Sequence, residues 1–173
     1  MKTKLQNVAL NDQPVDGHGI VYMLLKDHKA MKKLMAKIKS QRSTNVQIKS
    51  NYKKLIMVVR SHVKAEERSL LNLLKTHPVF KDMSTESYQE HRVHEYVIHG
   101  VAQEKNPDSK LEQMKAFCEI LEHHLKEEER DLFPRFKKYA AKSTRLKLGK
   151  RFLKVRKATK SKKEHLGASK IVR

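Results

Sequence analysis

The stretch 121-LEHHLKEEERDLFPRF-136 restricts this chain more than any other part of it. Read as a helix, it stacks His124 and Glu128 on one face, and that face runs back through Leu121, Phe117 and Met114. A carboxylate and an imidazole are thereby carried on a stripe that must be buried. Burying them is unfavourable unless they are paired or bind a cation. The arrangement recurs in 62-HVKAEERSLL-71, where His62 and Glu66 have Leu55 and Val59 behind them and Leu70 ahead.

The remaining pattern is helical. Glycine occurs 5 times and proline 4 times in 173 residues, and no segment alternates as a strand would, so the fold class is all-α. The length suits one domain with a real core. Residues 1–16 read as a polar lead-in. A first helix over about 17–40 carries Ile20, Leu24, His28, Met31, Met35 and Ile38 on one face. After 40-SQRSTN-45, with Ser43 to Asn45 as cap candidates, a second runs over about 46–75 through Ile48, Tyr52, Leu55, Val59, His62, Glu66, Leu70 and Leu73. The segment 76–87 reads mostly as a loop. A third helix over about 85–103 puts His91 and His94 on the arc of Ile98 and Val101. Asn106 and Pro107 start a fourth over about 109–139, which Pro134 should kink or end. Short connections make consecutive helices antiparallel neighbours, giving an up-down-up-down four-helix bundle over 17–140. A fifth, basic amphipathic segment, 144-TRLKLGKRFLKVRK-157, belongs to a C-terminal helix and tail over 141–173, disordered from about Ala158.

The formal charge of +20 is mostly a property of that tail. Residues 135–173 hold 16 Lys/Arg against the single acid Glu164, leaving a mild +5 on the preceding 134 residues. Arg145, Lys147, Lys150, Arg151, Lys154, Arg156 and Lys157 could meet nucleic-acid phosphates or an anionic membrane surface. Aromatics suited to stacking are nearly absent there, so such binding would be blind to sequence. The plainer reading is a solvated helix packed through Phe152. One cysteine, Cys118, forms no internal disulfide, which fits a reducing compartment. The first residues lack the apolar core of a secretion signal, and no apolar run approaches the ~20 residues of a membrane span. The expected location is cytoplasmic.

The inward histidines recur at similar separations: 34 residues from His28 to His62, 29 to His91 and 33 to His124. In an up-down-up-down bundle these steps return each to one level. With Glu66 and Glu128 they make a six-ligand layer of mixed imidazole and carboxylate donors, which suits two iron or manganese ions. Taken singly, an inward histidine is more often a satisfied core residue and a His-x-x-x-Glu a surface pair. One such motif per helix, each on an apolar stripe, reverses that balance.

At these residues the chain resembles the hemerythrin-like, HHE cation-binding family. The matching motifs are Asp27-His28, His62-x-x-x-Glu66, Glu90-His91, and His124-x-x-x-Glu128 followed by 132-LFP-134, in that order. The resemblance covers about 17–140. It implies a left-handed four-helix bundle around a non-haem di-iron centre, bridged by Glu66 and Glu128 with the histidines as terminal ligands. Manganese or zinc are substitutes. Oxygen-carrying members have a second histidine four residues after the first in the third helix. Here that place holds Glu95, and His94 stands at i+3, so either is a candidate seventh ligand. His123, Glu127, Glu129 and Glu67 read as solvated flank.

Such a centre would bind or sense O2, NO or peroxide. A peroxide-consuming di-iron enzyme would use the same ligands. No Ser/His/Asp or Cys/His arrangement, phosphate-cradling glycine loop or cofactor fingerprint is present, so hydrolytic and nucleotide chemistry have no support. A basic-tailed bundle serving as a nucleic-acid- or anionic-surface-binding scaffold is the reading of a different class.

Overall fold

A computed structural model describes residues 19–168, with side chains to Thr159. The lead-in over 1–16 and the last five residues of the tail lie outside the described residues. Within them the chain is built of helices without strands.

Helix α1 spans Ile20–Lys39, α2 begins as Asn45–Glu66, α3 spans Lys81–Gln103, α4 begins as Pro107–Glu127, and α5 spans Lys142–Ala168. Both α2 and α4 then widen into one π-helical stretch, Glu67–Leu71 and Glu128–Leu132, before closing as Asn72–Leu74 and Phe133–Tyr139. The starts follow local chemistry. Thr44 caps α2 in a reciprocal box with Gln47, its Oγ1 accepting from the Gln47 N–H at 3.3 Å while Gln47 Oε1 accepts from the Thr44 N–H at 2.9 Å. Asn106 Oδ1 accepts from the N–H groups of Asp108 and Ser109, with Pro107 in the first turn of α4.

Helix α3 starts at Lys81, four residues before the sequence pattern predicts. Its Ser/Thr-rich first turns look like a loop, but Ser84 gives its hydroxyl to the Leu71 carbonyl and Ser87 gives its own to Met83. Phe80 pins the start, buried against Phe136 at 6.3 Å between ring centres. The helix α5 runs past Ala158 to Ala168. Leu148 and Phe152 bury it against the bundle, and the Lys-rich turns beyond continue a helix already nucleated there.

The wide turns change which residues face inward. An added residue per turn carries the buried face from Leu70 to Leu71 and Leu74, leaving Leu73 43 % exposed although simple periodicity puts it on the stripe. Ser69 supports this turn by donating to the Ala65 carbonyl at 2.5 Å. In α4 the wide turn ends at Leu132, two residues before Pro134, whose missing N–H is absorbed in the first turn of Phe133–Tyr139 rather than by breaking the helix. Met57, on the outer side of α2, is exposed.

Helix α1 packs along α2 and on α4, α3 packs on α4, and α5 lies across α1 and α2. Two apolar clusters result. One gathers Met31, Met35, Leu55, Val59, Ile98, Phe117, Cys118 and Leu121. The other gathers Leu24, Leu70, Leu71, Phe80, Leu132, Phe133, Phe136 and Phe152. Cys118 is buried and unpaired by disulfide, and burial pushes its thiol up to about 12, which makes it a core residue and not a reactive one. On each of α1, α2 and α4 a polar layer interrupts the apolar stripe between the two clusters.

Candidate metal centre

That layer consists of His28, His62, Glu66, His91, His94, His124 and Glu128, each at most 4 % exposed. The six side chains predicted as ligands come together here. Ligand atoms of Glu66, His91, His124 and Glu128 lie within 4.8 Å of one another, and so do those of His28, His62 and Glu128. Glu128 is common to both groups. Its Oε2 is 3.3 Å from His28 Nε2 and 3.7 Å from His124 Nε2. Glu66 Oε2 stands in the same relation to the other two, 3.4 Å from His62 Nε2 and 3.7 Å from His91 Nε2. Each carboxylate is thus shared between two histidines on different helices.

The other nitrogen of each ring faces outward to an acid, and these contacts form a closed cycle. Asp27 on α1 serves His62 on α2, with Oδ2 3.5 Å from Nδ1. Glu67 at the end of α2 serves His91 on α3 at 3.0 Å. Glu90 on α3 serves His124 on α4 at 2.7 Å. Glu129 on α4 returns to His28 on α1 at 2.9 Å. A carboxylate can only accept, so in the three hydrogen-bonded pairs, at His28, His91 and His124, Nδ1 is the protonated nitrogen and Nε2 is turned to the shared glutamates, whereas Asp27 Oδ2 and His62 Nδ1 face each other without a hydrogen bond. The sequence reading missed these roles, treating Glu67 and Glu129 as solvated flank. The signal was the doublets Asp27-His28, Glu66-Glu67, Glu90-His91 and Glu128-Glu129. Adjacent helical residues point about 100° apart, so an acid next to an inward residue looks sideways at the neighbouring helix.

The seventh candidates separate cleanly. Glu95 lies outside the layer, more than half exposed and paired with Arg60, so it is removed from the set. His94 is buried, with its ring 5.0 Å from that of His124 and 5.9 Å from Phe117. Both its ring nitrogens lack a hydrogen-bond partner. Burial, helped by the neighbouring His124 and His91, pushes it down to about 3, so it stays neutral.

Electrostatics in the layer are governed by the two carboxylates. Burial opposes charge on His62 and His124, but Asp27 and Glu66 raise His62 to about 10, and Glu128 and Glu90 raise His124 to about 9. Burial likewise works against ionised Glu128, yet the surrounding His124, His28 and His62 hold it well below the usual carboxylate range.

Several buried donor atoms have no hydrogen-bond partner: Nε2 of His28, His62, His91 and His124, and both oxygens of Glu66 and of Glu128. Unsatisfied polar atoms between apolar layers are costly, whereas imidazole nitrogens and carboxylate oxygens converging at this range are the donors a borderline cation takes. The residues present therefore fit a metal. Phe133 at 5.4 Å from His28 and Phe152 at 6.0 Å from His62 cover the cluster with apolar rings.

Comparison with family models matches the hemerythrin HHE cation-binding domain over residues 19–136. The chain belongs to the hemerythrin HHE family. No curated protein and no solved structure matches it. The HHE match covers α1 to α4 almost to the end of the last turn of α4, so all six converging ligands lie inside it and α5 lies beyond. Cation binding by an HHE domain and the buried His/Glu cluster agree. Among the described residues no helix is long and apolar enough to cross a membrane.

Proposed function

We propose that the cluster holds two iron ions and that the protein binds or senses O2 or a related small ligand, NO or peroxide. The observation that carries this is the sharing of Glu66 and of Glu128 between two histidine pairs, His62 with His91 and His28 with His124. Two carboxylates so placed suit a bridged pair of cations. His28, His62, His91 and His124 would hold the ions together with Glu66 and Glu128, with His94 as the candidate seventh ligand. The convergence of α1 to α4 on one layer supports an up-down-up-down order for these helices. Manganese or zinc would compete for the same donors.

An iron pair there would supply redox equivalents and an open coordination position. The chain's own part is to orient the donors and keep water out. Glu67, Glu90 and Glu129 fix the tautomers of His91, His124 and His28, Asp27 faces His62, and Phe117, Phe133 and Phe152 wall the layer. A cavity of about 400 Å³ lined by Val59, Val63, Ile98, His91 and His94 offers a small ligand a way to the His91 side. Iron analysis with absorption spectra before and after dithionite and O2 tests the reading; a charge-transfer band that vanishes on reduction supports it.

The basic tail supports a second role, at a cytoplasmic location. Lys147, Lys150, Arg151, Lys154 and Lys157 are exposed on α5, whereas Arg156 and Arg145 turn to the protein, Arg145 donating to the carbonyls of Lys137 and Ala140. This face would bind nucleic acid or an anionic membrane without sequence preference. Affinity should fall with salt, the log–log slope steepening by ~0.9 for each phosphate neutralised on duplex DNA; binding flat in salt rejects it.

A further inference from the structure

Helix α5 lies outside the part of the chain that matches the HHE domain, yet it reaches the cluster. Arg156 Nη2 donates to Asp27 Oδ1 at 2.6 Å, and Asp27 is a buried carboxylate whose second oxygen faces His62 Nδ1 at 3.5 Å. Four residues earlier on α5, Phe152 is fully buried with its ring set edge-on to that of His62. One turn of α5 thus presents a cation to the acid behind His62 and an apolar ring to His62 itself.

We infer that Arg156 is a positioning residue of the metal centre, acting through Asp27 on His62, and that docking of α5 controls how firmly the centre retains its metal. This rests on the di-metal reading above. The guanidinium holds one carboxylate oxygen and so aims the other at Nδ1, which fixes the imidazole with Nε2 toward Glu66. Without that grip Asp27 is a buried charge with no hydrogen-bond partner, free to turn away from the ring nitrogen it faces at 3.5 Å. Phe152 meanwhile removes the water that would otherwise compete for His62. The coupling is reciprocal: a metal that fixes His62 also fixes Asp27 and hence the seat of Arg156.

The test uses the full iron-loaded chain and compares the wild type with Arg156→Met, Arg156→Lys and, as a control on the exposed side of the same helix, Lys157→Met. The expected result is that R156M loses iron to a strong ferrous chelator about tenfold faster or more. R156K should recover part of that loss and K157M should match the wild type. In the metal-free protein, 15N NMR should show the His62 ring signals moved in R156M and unmoved in K157M. For the wild type alone, protease cleavage within α5 should slow on iron loading, a measurement that needs no variant to fold. Release from R156M at the wild-type rate, or cleavage of α5 indifferent to iron, overturns the inference while leaving the metal centre intact. A wild type that takes up no iron overturns both.

Discussion

Glu129 Oε1 lies 2.9 Å from Nδ1 of His28, and this contact closes a cycle in which each of four helices holds the next helix's histidine. Lys32 strengthens it by donating to the other Glu129 oxygen at 2.6 Å, and together His28 and Lys32 keep the carboxyl below its usual range despite burial. Replacing Glu129 with glutamine keeps an acceptor near His28 but removes the charge that makes the imidazole a better ligand. Metal affinity should fall about 10-fold or more for Glu129→Gln and further for Glu129→Ala. Competition against a chelator of known affinity measures it. Unchanged affinity in both would mean that the outward contacts are incidental.

Glu128 is the acid common to both ligand groups. Its removal should therefore affect more than metal binding. In the metal-free protein Glu128→Ala leaves the raised charge on His124 without its nearest buried counter-charge, a loss of about 3–5 kcal/mol. Denaturant unfolding at neutral pH checks this value. Stability equal to the wild type would show that the imidazoles do not depend on the carboxylate.

The pH dependence follows from His62 and His124. Their folded pKa values, about 10 and about 9, exceed the ordinary 6.5. Protonation there stabilises the metal-free protein fully below about 6.5, and that contribution is lost as pH climbs through 9 to 10. Metal needs the free nitrogen, so loading at neutral pH expels protons from both. Apparent affinity should rise up to about pH 9, by as much as about tenfold per pH unit for each proton displaced. Calorimetry in buffers of different ionisation enthalpy counts these protons. Binding without proton release contradicts the assignment.

His94 and Glu95 are neighbours in sequence but opposites in structure. His94→Leu should change the absorption spectrum of the iron-loaded protein, because an inward nitrogen is lost. Glu95→Ala should leave it unaltered, since only an exposed pair with Arg60 is broken, worth about 0–1 kcal/mol. Identical spectra for H94L and the wild type would remove His94 from the ligand set.

Much of this was legible in the sequence because inward position follows from helical period alone. Histidines at matching depth on four apolar stripes, and glutamates one turn beyond two of them, announce a buried polar layer. What period could not show depends on neighbours. Glu67 and Glu129 look like solvent-facing charge until the adjacent helix is in place. Leu73 was misplaced because nothing local marks the wide turn after Glu66, although each wide turn begins directly after or at a shared carboxylate. The helical start at Lys81 depends on Phe80 meeting Phe136, far along the chain. Arg156 was one basic residue among seven in its segment, and only the fold shows that it is the one that meets Asp27.

The most direct test of the central claim is the iron content of the reconstituted full-length chain, measured beside that of Glu128→Ala. Two irons per wild-type chain, falling below two in the variant, is the predicted result. One iron or none in the wild type, or two retained in E128A, would contradict a pair of ions held between shared carboxylates.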